Sequence, residues 1–247
     1  MVSENRSLKH TLRVLRVGWA LGSAFIVESI VFGLAVLPAV LFWEWHLGWS
    51  FPGPWLRIVI LSMAFIPAYL LFALALMCLS ALSSRLLGWR TPPAAEMRIA
   101  DFDWPLLDWG RYMIATHLVR VFAGAPFRTT PLWTLYMRLN GARIGRGTFV
   151  NSLSITDHNL LEIGDGAVIG SDVHMSGHTV ERGVVKTAGV RVGRNVTIGV
   201  ESVIAIGVEI GDGAQVGALS YVPKFARLEP GHTYVGIPVR ASTTTHP

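Results

Sequence analysis

The sequence predicts a two-helix transmembrane hairpin with interfacial helices, followed by a coil of short strands. Two observations carry that reading. Of the 247 residues, 51% are hydrophobic and 15% charged, and the apolar excess sits before residue 90, which is unusual for a wholly soluble chain. From Ile144 onward, an aliphatic residue followed by glycine returns at intervals of six, and repeats are read before local propensity.

The apolar runs come first. "VGWALGSAFIVESIVFGLAVLPAVLFW" and "WLRIVILSMAFIPAYLLFALALMCLSALSSRLLGW" each supply the ~20 residues needed to cross ~30 Å of hydrocarbon. Residues 1–90 are read as a hairpin with spans at about 17–43 and 55–82. The first run is too long for a signal peptide and has no small-residue cleavage site. Tryptophans in the connector "EWHLGWSFPGP" suit an interfacial belt. Arg6, Lys9, Arg13 and Arg16 precede the first span and Arg85, Arg90 and Arg98 follow the second. This predicts an inner-membrane, multi-pass protein with both termini and the coil in the cytoplasm. The net charge of +5 is thereby assigned to membrane lipid as a partner and not to nucleic acid. Glu28, inside the first span, is read as a protonated, hydrogen-bonded side chain at a helix or subunit contact. Cys78 lies in an apolar run and predicts neither a disulfide nor a reactive thiol.

Residues 91–142 read as an interfacial connecting region. "TPPAAE" breaks the second helix. Asp101 or Asp103 then suits the cap of a helix with Pro105 in its first turn. Leu107, Tyr112, Met113, Leu118, Val119 and Phe122 make one apolar face, and interspersed arginines suit a helix lying in the interface plane. His117 is read as structural.

Residues 143–240 carry the repeat, and 241–247 are expected to form a flexible tail. Aliphatic residues stand at Ile144, Val150, Ile163, Ile169 and Met175, and again at Val192, Ile198, Ile204, Ile210, Val216 and Val222. One inward aliphatic side chain per face gives stacked coils a continuous core. The glycines that follow are expected to supply unusual backbone angles at the corners. Between Met175 and Val192 the beat stops, at "SGHTVERGVVKTAG".

This pattern, with the ending "YVPKFARLEPGHTYVGIPVRA", resembles the hexapeptide-repeat acyltransferases, and the resemblance implies a left-handed parallel β-helix. Two spans, "RLNGARIG", "TDHNLLEIGDGAVIGSDVHMSGHTVERG" and "LSYVPK" together look like the membrane-bound C-terminal modules of polylysine-synthetase-type nonribosomal peptide synthetases, one module standing alone. The resemblance implies a homotrimer, with a carrier protein or a nonribosomal peptide synthetase as a further partner. It implies a loop-borne catalytic histidine, at His178, acting as general base on a hydroxyl or amine acceptor. A carboxylate must hold its other ring nitrogen; Asp157 fits best, with Glu162 and Glu181 as alternatives. Asn151, His158, His174 and Glu181 are read as substrate-binding. No tightly bound cofactor is implied. The donor is acyl-CoA or a phosphopantetheinyl carrier protein, its arm beside the small Gly199, Ala205 and Gly217, its phosphates near Arg194, Lys224 and Arg240. Two other readings stay open: His158, His174 and His178 as a zinc site like that of hexapeptide-repeat carbonic anhydrases, and a non-catalytic trimeric scaffold.

Overall fold

Two long apolar helices open the computed structural model, which describes the backbone of residues 2–242 and the side chains of 11–242. Helix α1 runs Val2–Leu47 and α2 runs Pro54–Leu87. Helix α1 outruns its apolar segment, because nothing in the basic sequence before it breaks a helix. Both are long and apolar enough to cross a membrane. Gly53 and Pro54 start α2 and Gly88 ends it, at φ 72, with its N–H turned back to the Arg85 and Ser84 carbonyls, the left-handed cap that glycine permits. The two helices pack on each other with Ala35 and Ala73 buried in one cluster, and small residues let two helix backbones approach closely. Glu28 is buried here, yet neither carboxylate oxygen meets a protein donor, so the expected hydrogen bond is not formed within the chain. The side chains of Arg6 and Lys9, and residues 243–247 of the expected tail, lie outside the described residues. Ala241 belongs to a strand, Val239–Ala241.

Helix α3, Trp104–Val119, packs on α1 and α2. It continues through a π-helical turn, Arg120–Gly124, into the short α4, Ala125–Phe127, and α5 follows at Pro131–Leu139. Asp103 stands at the cap position of α3 but makes no side-chain cap bond. It pairs instead with Arg16, and Asp101 with Arg13, so both carboxylates tie α3 to α1. The buried face of α3 is Leu106, Tyr112, Ala115 and Val119. Phe122 is exposed and sets the edge of its ring on Phe32 of α1.

The coil has three faces of parallel strands. One stacks Arg143–Ile144, Leu161–Ile163, Val190–Val192, Glu209–Ile210 and Arg227–Leu228. A second stacks Phe149–Val150, Val168–Ile169, Thr197–Ile198, Gln215–Val216 and Thr233–Gly236, closed by antiparallel Val239–Ala241. The third stacks His174–Met175, Val203–Ile204 and Tyr221–Val222. The repeat aliphatics from Val150 to Val222 are buried in one core, as a single inward side chain per face requires.

The glycines after those aliphatics have a different reason from the expected one. Left-handed corner angles fall elsewhere, on Gly147, Gly166 and Gly207 and on Asp172, Asn195, Glu201, Leu219 and Phe225. A Cβ on Gly199 would come within 2.4 Å of the Ala218 nitrogen, and one on Gly164 within 2.6 Å of the Arg194 nitrogen. These glycines are fixed by the closeness of neighbouring coils.

The interruption is a β-hairpin, His178–Glu181 and Val184–Thr187, turned at Arg182 and Gly183, both with positive φ. Its second strand pairs antiparallel with Glu96–Arg98, from the segment just after α2. The coil register carries straight across: Glu162 pairs with Arg191 on the far side of the hairpin.

Candidate active site

Asp157 sits where the third face begins, at φ 54 and ψ 47, a left-handed corner that aspartate tolerates better than most residues. Its side chain is wholly buried. Oδ2 accepts from His178 Nδ1 at 2.6 Å, from the Gly177 N–H at 3.1 Å and from the Thr156 and Ser176 hydroxyls at 3.0 and 3.2 Å. Oδ1 accepts from the Thr91 hydroxyl at 2.6 Å and the Trp109 indole N–H at 3.3 Å. Burial alone would raise this carboxyl. The hydrogen bond and charge of His178, with the Thr91 and Thr156 hydroxyls, outweigh burial and hold it below its usual value. It is therefore an anion at neutral pH.

A carboxylate can only accept, so the 2.6 Å contact places the neutral imidazole's proton on Nδ1 and the lone pair on Nε2. His178 keeps 22% of its side chain exposed, while the Trp109 ring stands edgewise to it with centroids 5.0 Å apart. Gly177 makes the close approach possible, since a Cβ there would lie 2.9 Å from both Asp157 Cβ and Leu160 Cδ1.

Sequence reasoning missed the donors around Asp157. Thr156 and Ser176 were within reach, as Thr156 adjoins Asp157 and Ser176 stands two residues before His178. Thr91 and Trp109 carried no signal: they lie 66 and 48 residues from Asp157, in the region before the coil. Asn159 fixes Thr91 in place, bonding both its N–H and its carbonyl.

The other expected residues spread around the pair. His158 is buried, with Nε2 on the Ile155 carbonyl at 3.2 Å and Nδ1 without a partner. Burial pushes its pKa down to about 4. It lines a cleft of about 360 Å³ with Met113, Ile114, Leu118, Trp133 and Ile155, which Thr156 joins to the pair. His174 is exposed; partial desolvation, then neighbouring His178 and Arg120, hold its pKa below the usual histidine value. Among the described residues no three His, Cys, Asp or Glu side chains converge on a metal-sized site. Glu181 lies on the His178 strand and ion-pairs with Lys224, fastening the hairpin to a later coil. Glu162 pairs with Arg143 on another face. Asn151 is apart from the pair, its side-chain oxygen taken by Arg128, which also holds Ser171 and Asp172. Arg194 is bidentate to Asp212, at 3.0 and 2.8 Å. Gly217, like Gly199, faces the next coil, where a Cβ would meet Val235 at 2.7 Å. Ala205 donates its N–H to Val222, and Arg240 is exposed on the closing strand.

No family model matches the chain. Galactoside O-acetyltransferase of Escherichia coli (strain K12) is 36% identical over 105 residues, 39% of this chain and 51% of that protein. Delta-poly-L-ornithine synthetase of Acinetobacter baumannii (strain AB307-0294) is 28% identical over 111 residues, 45% of this chain and 8% of that protein. A hexapeptide-repeat-containing acetyltransferase from Vibrio cholerae aligns at 25% identity and TM-score 0.39, over 42% of this chain and 63% of its own. The chain resembles the hexapeptide-repeat acetyltransferases. It spans about half the length of one curated relative and under a tenth of the other. In this chain the region before the coil supplies Thr91 and Trp109 to the buried carboxylate.

Proposed function

We propose that the chain is a membrane-anchored acyltransferase. A pantetheine thioester, acyl-coenzyme A or an acylated carrier protein, gives its acyl group to a hydroxyl or amine. His178 Nε2 takes the acceptor's proton as its oxygen or nitrogen attacks the thioester carbonyl. The new C–O or C–N bond forms, the C–S bond breaks, and the thiolate leaves with the proton from His178. Asp157 holds the tautomer and stabilises the imidazolium formed in between. In this reading residues 1–90 cross the cytoplasmic membrane twice with both ends inside, 91–142 rest at its surface, and 143–240 form a left-handed coil that trimerises with the sites between subunits. The resemblance to the synthetase makes an aminoacyl thioester a donor to test beside acetyl-coenzyme A.

The observation that carries the proposal is the 2.6 Å bond from the partly exposed His178 to a wholly buried aspartate. A structural histidine has no need of so fully bonded a carboxylate. The test is thiol release by the purified protein from acyl-coenzyme A and acyl-carrier donors, with hydroxyl and amine acceptors. Release that falls by about 10²–10⁴ in His178→Ala supports a general base. No release with any donor would leave a non-catalytic scaffold in its place.

A further inference from the structure

Beside the His178–Asp157 pair, on the other side of Trp109 from the coil, runs a groove of about 310 Å³ that is almost wholly apolar. Helix α1 forms one wall with Val17 and Leu21. Helix α3 forms the floor with Leu107, Gly110 and Ile114, and Val180 of the His178 strand forms the opposite wall. Three observations give it an occupant. First, Gly110 lies inside a helix, where glycine weakens the backbone, and a Cβ there would meet nothing within 4 Å. The space over Gly110 is open, and no packing contact calls for a glycine there. Second, the wall at Leu21 is continuous with exposed Phe25 one turn on, at 58% and 75% exposure, on the helix read as entering the membrane. Third, Trp109 lines the groove while its indole N–H bonds Asp157 and its edge meets His178. Ile114 lines both this groove and the cleft beside His158. The groove therefore lies against α1 on one side, and on the other only the Trp109 ring separates it from His178.

We propose that this groove holds the alkyl chain of a lipid acceptor drawn from the bilayer, with its hydroxyl or amine head at His178. The proposal rests on the acyl-transfer reading for its chemistry and on the groove alone for its binding.

The full chain in lipid nanodiscs is tested in two ways. In the first, a long-chain amine carrying a diazirine is photo-crosslinked and the labelled peptides mapped. Labelling is expected within residues 99–114 and 180–185, competed by dodecylamine. It should fall about tenfold in Gly110→Phe, which fills the channel, and in Val180→Asp, an exposed substitution that adds a charge. His178→Ala should leave it unchanged. In the second, thiol release from acetyl-coenzyme A is compared with dodecylamine and propylamine as acceptors. The long chain should lower KM, and Gly110→Phe should abolish that advantage while sparing propylamine. Labelling that misses both segments, or equal use of the two amines with Gly110→Phe indifferent, overturns the groove and leaves acyl transfer standing. Mapped labelling without thiol release from any acceptor keeps the groove and removes the transfer. A chain-to-chain crosslink from Val180→Cys, in a Cys78→Ala background, would show a second copy in the groove and overturn the lipid.

Discussion

Asp157 is held by six donors, and its value lies in the charge that they preserve. Asp157→Asn keeps the shape but offers His178 an amide that can turn its N–H₂ toward Nδ1, moving the proton to Nε2 and removing the base. The expected outcome is a drop in turnover of about 10²–10⁴ with little change in KM, read by thiol release. His158 tests burial at the same scale. In the folded chain its pKa is about 4, against ~6.5 unfolded. Between those values the unfolded state takes a proton that the native state refuses. Stability is therefore full above ~6.5 and falls as pH drops toward 4, by roughly 3 kcal/mol in all. Asp157 is also shifted downward, so its contribution is present above ~3.9 and is lost only as pH falls through its lower folded value. Tm measured from pH 7.5 down to 4.5 should drop less in His158→Phe than in the parent chain. An identical pH profile for the two would show that His158 is not buried and neutral.

The hairpin is the element that turns a coil corner into a site. It is stiff because its second strand adds to Glu96–Arg98 and its first is pinned by Lys224 to Glu181. Thr91→Val tests the link with the preceding region. It removes the 2.6 Å donor to Oδ1 and should cost about tenfold in turnover, with far-UV circular dichroism unchanged. Gly177→Ala forces a methyl against Asp157 and Leu160, and should destabilise by about 1–3 kcal/mol as well as displace His178, a loss visible as a lowered Tm. The coil and the histidine were legible in advance, because a strict period and an interruption are local signals. The donors from Thr91 and Trp109 were not, since they depend on how the segment after α2 folds back, which no spacing encodes. The glycine beat was noticed for the right positions and the wrong reason. A sequence shows that a residue must be small, and only the stacking distance shows whether angle or space demands it. Asn151, read as substrate-binding, has its side-chain oxygen engaged by Arg128, a partner no spacing encodes.

At the scale of the molecule, the proposed topology makes a simple prediction. In a Cys78→Ala background, Ser50→Cys should be labelled from outside intact cells by an impermeant maleimide, and Glu229→Cys only after lysis. The reverse pattern would invert the protein and place the coil away from cytoplasmic thioesters. The arrangement also has a consequence for assembly during synthesis. The helical pair can form as soon as it has been made. The six donors to Asp157 come from Thr91, Trp109, Thr156, Ser176, Gly177 and His178, and the hairpin that carries the last of them is braced only when Val184–Lys186 finds Glu96–Arg98. Contacts so distant along the chain form slowly. In the proposed reading, a nascent chain is thus anchored long before it has a base, and chemistry switches on only when both halves of the protein have met.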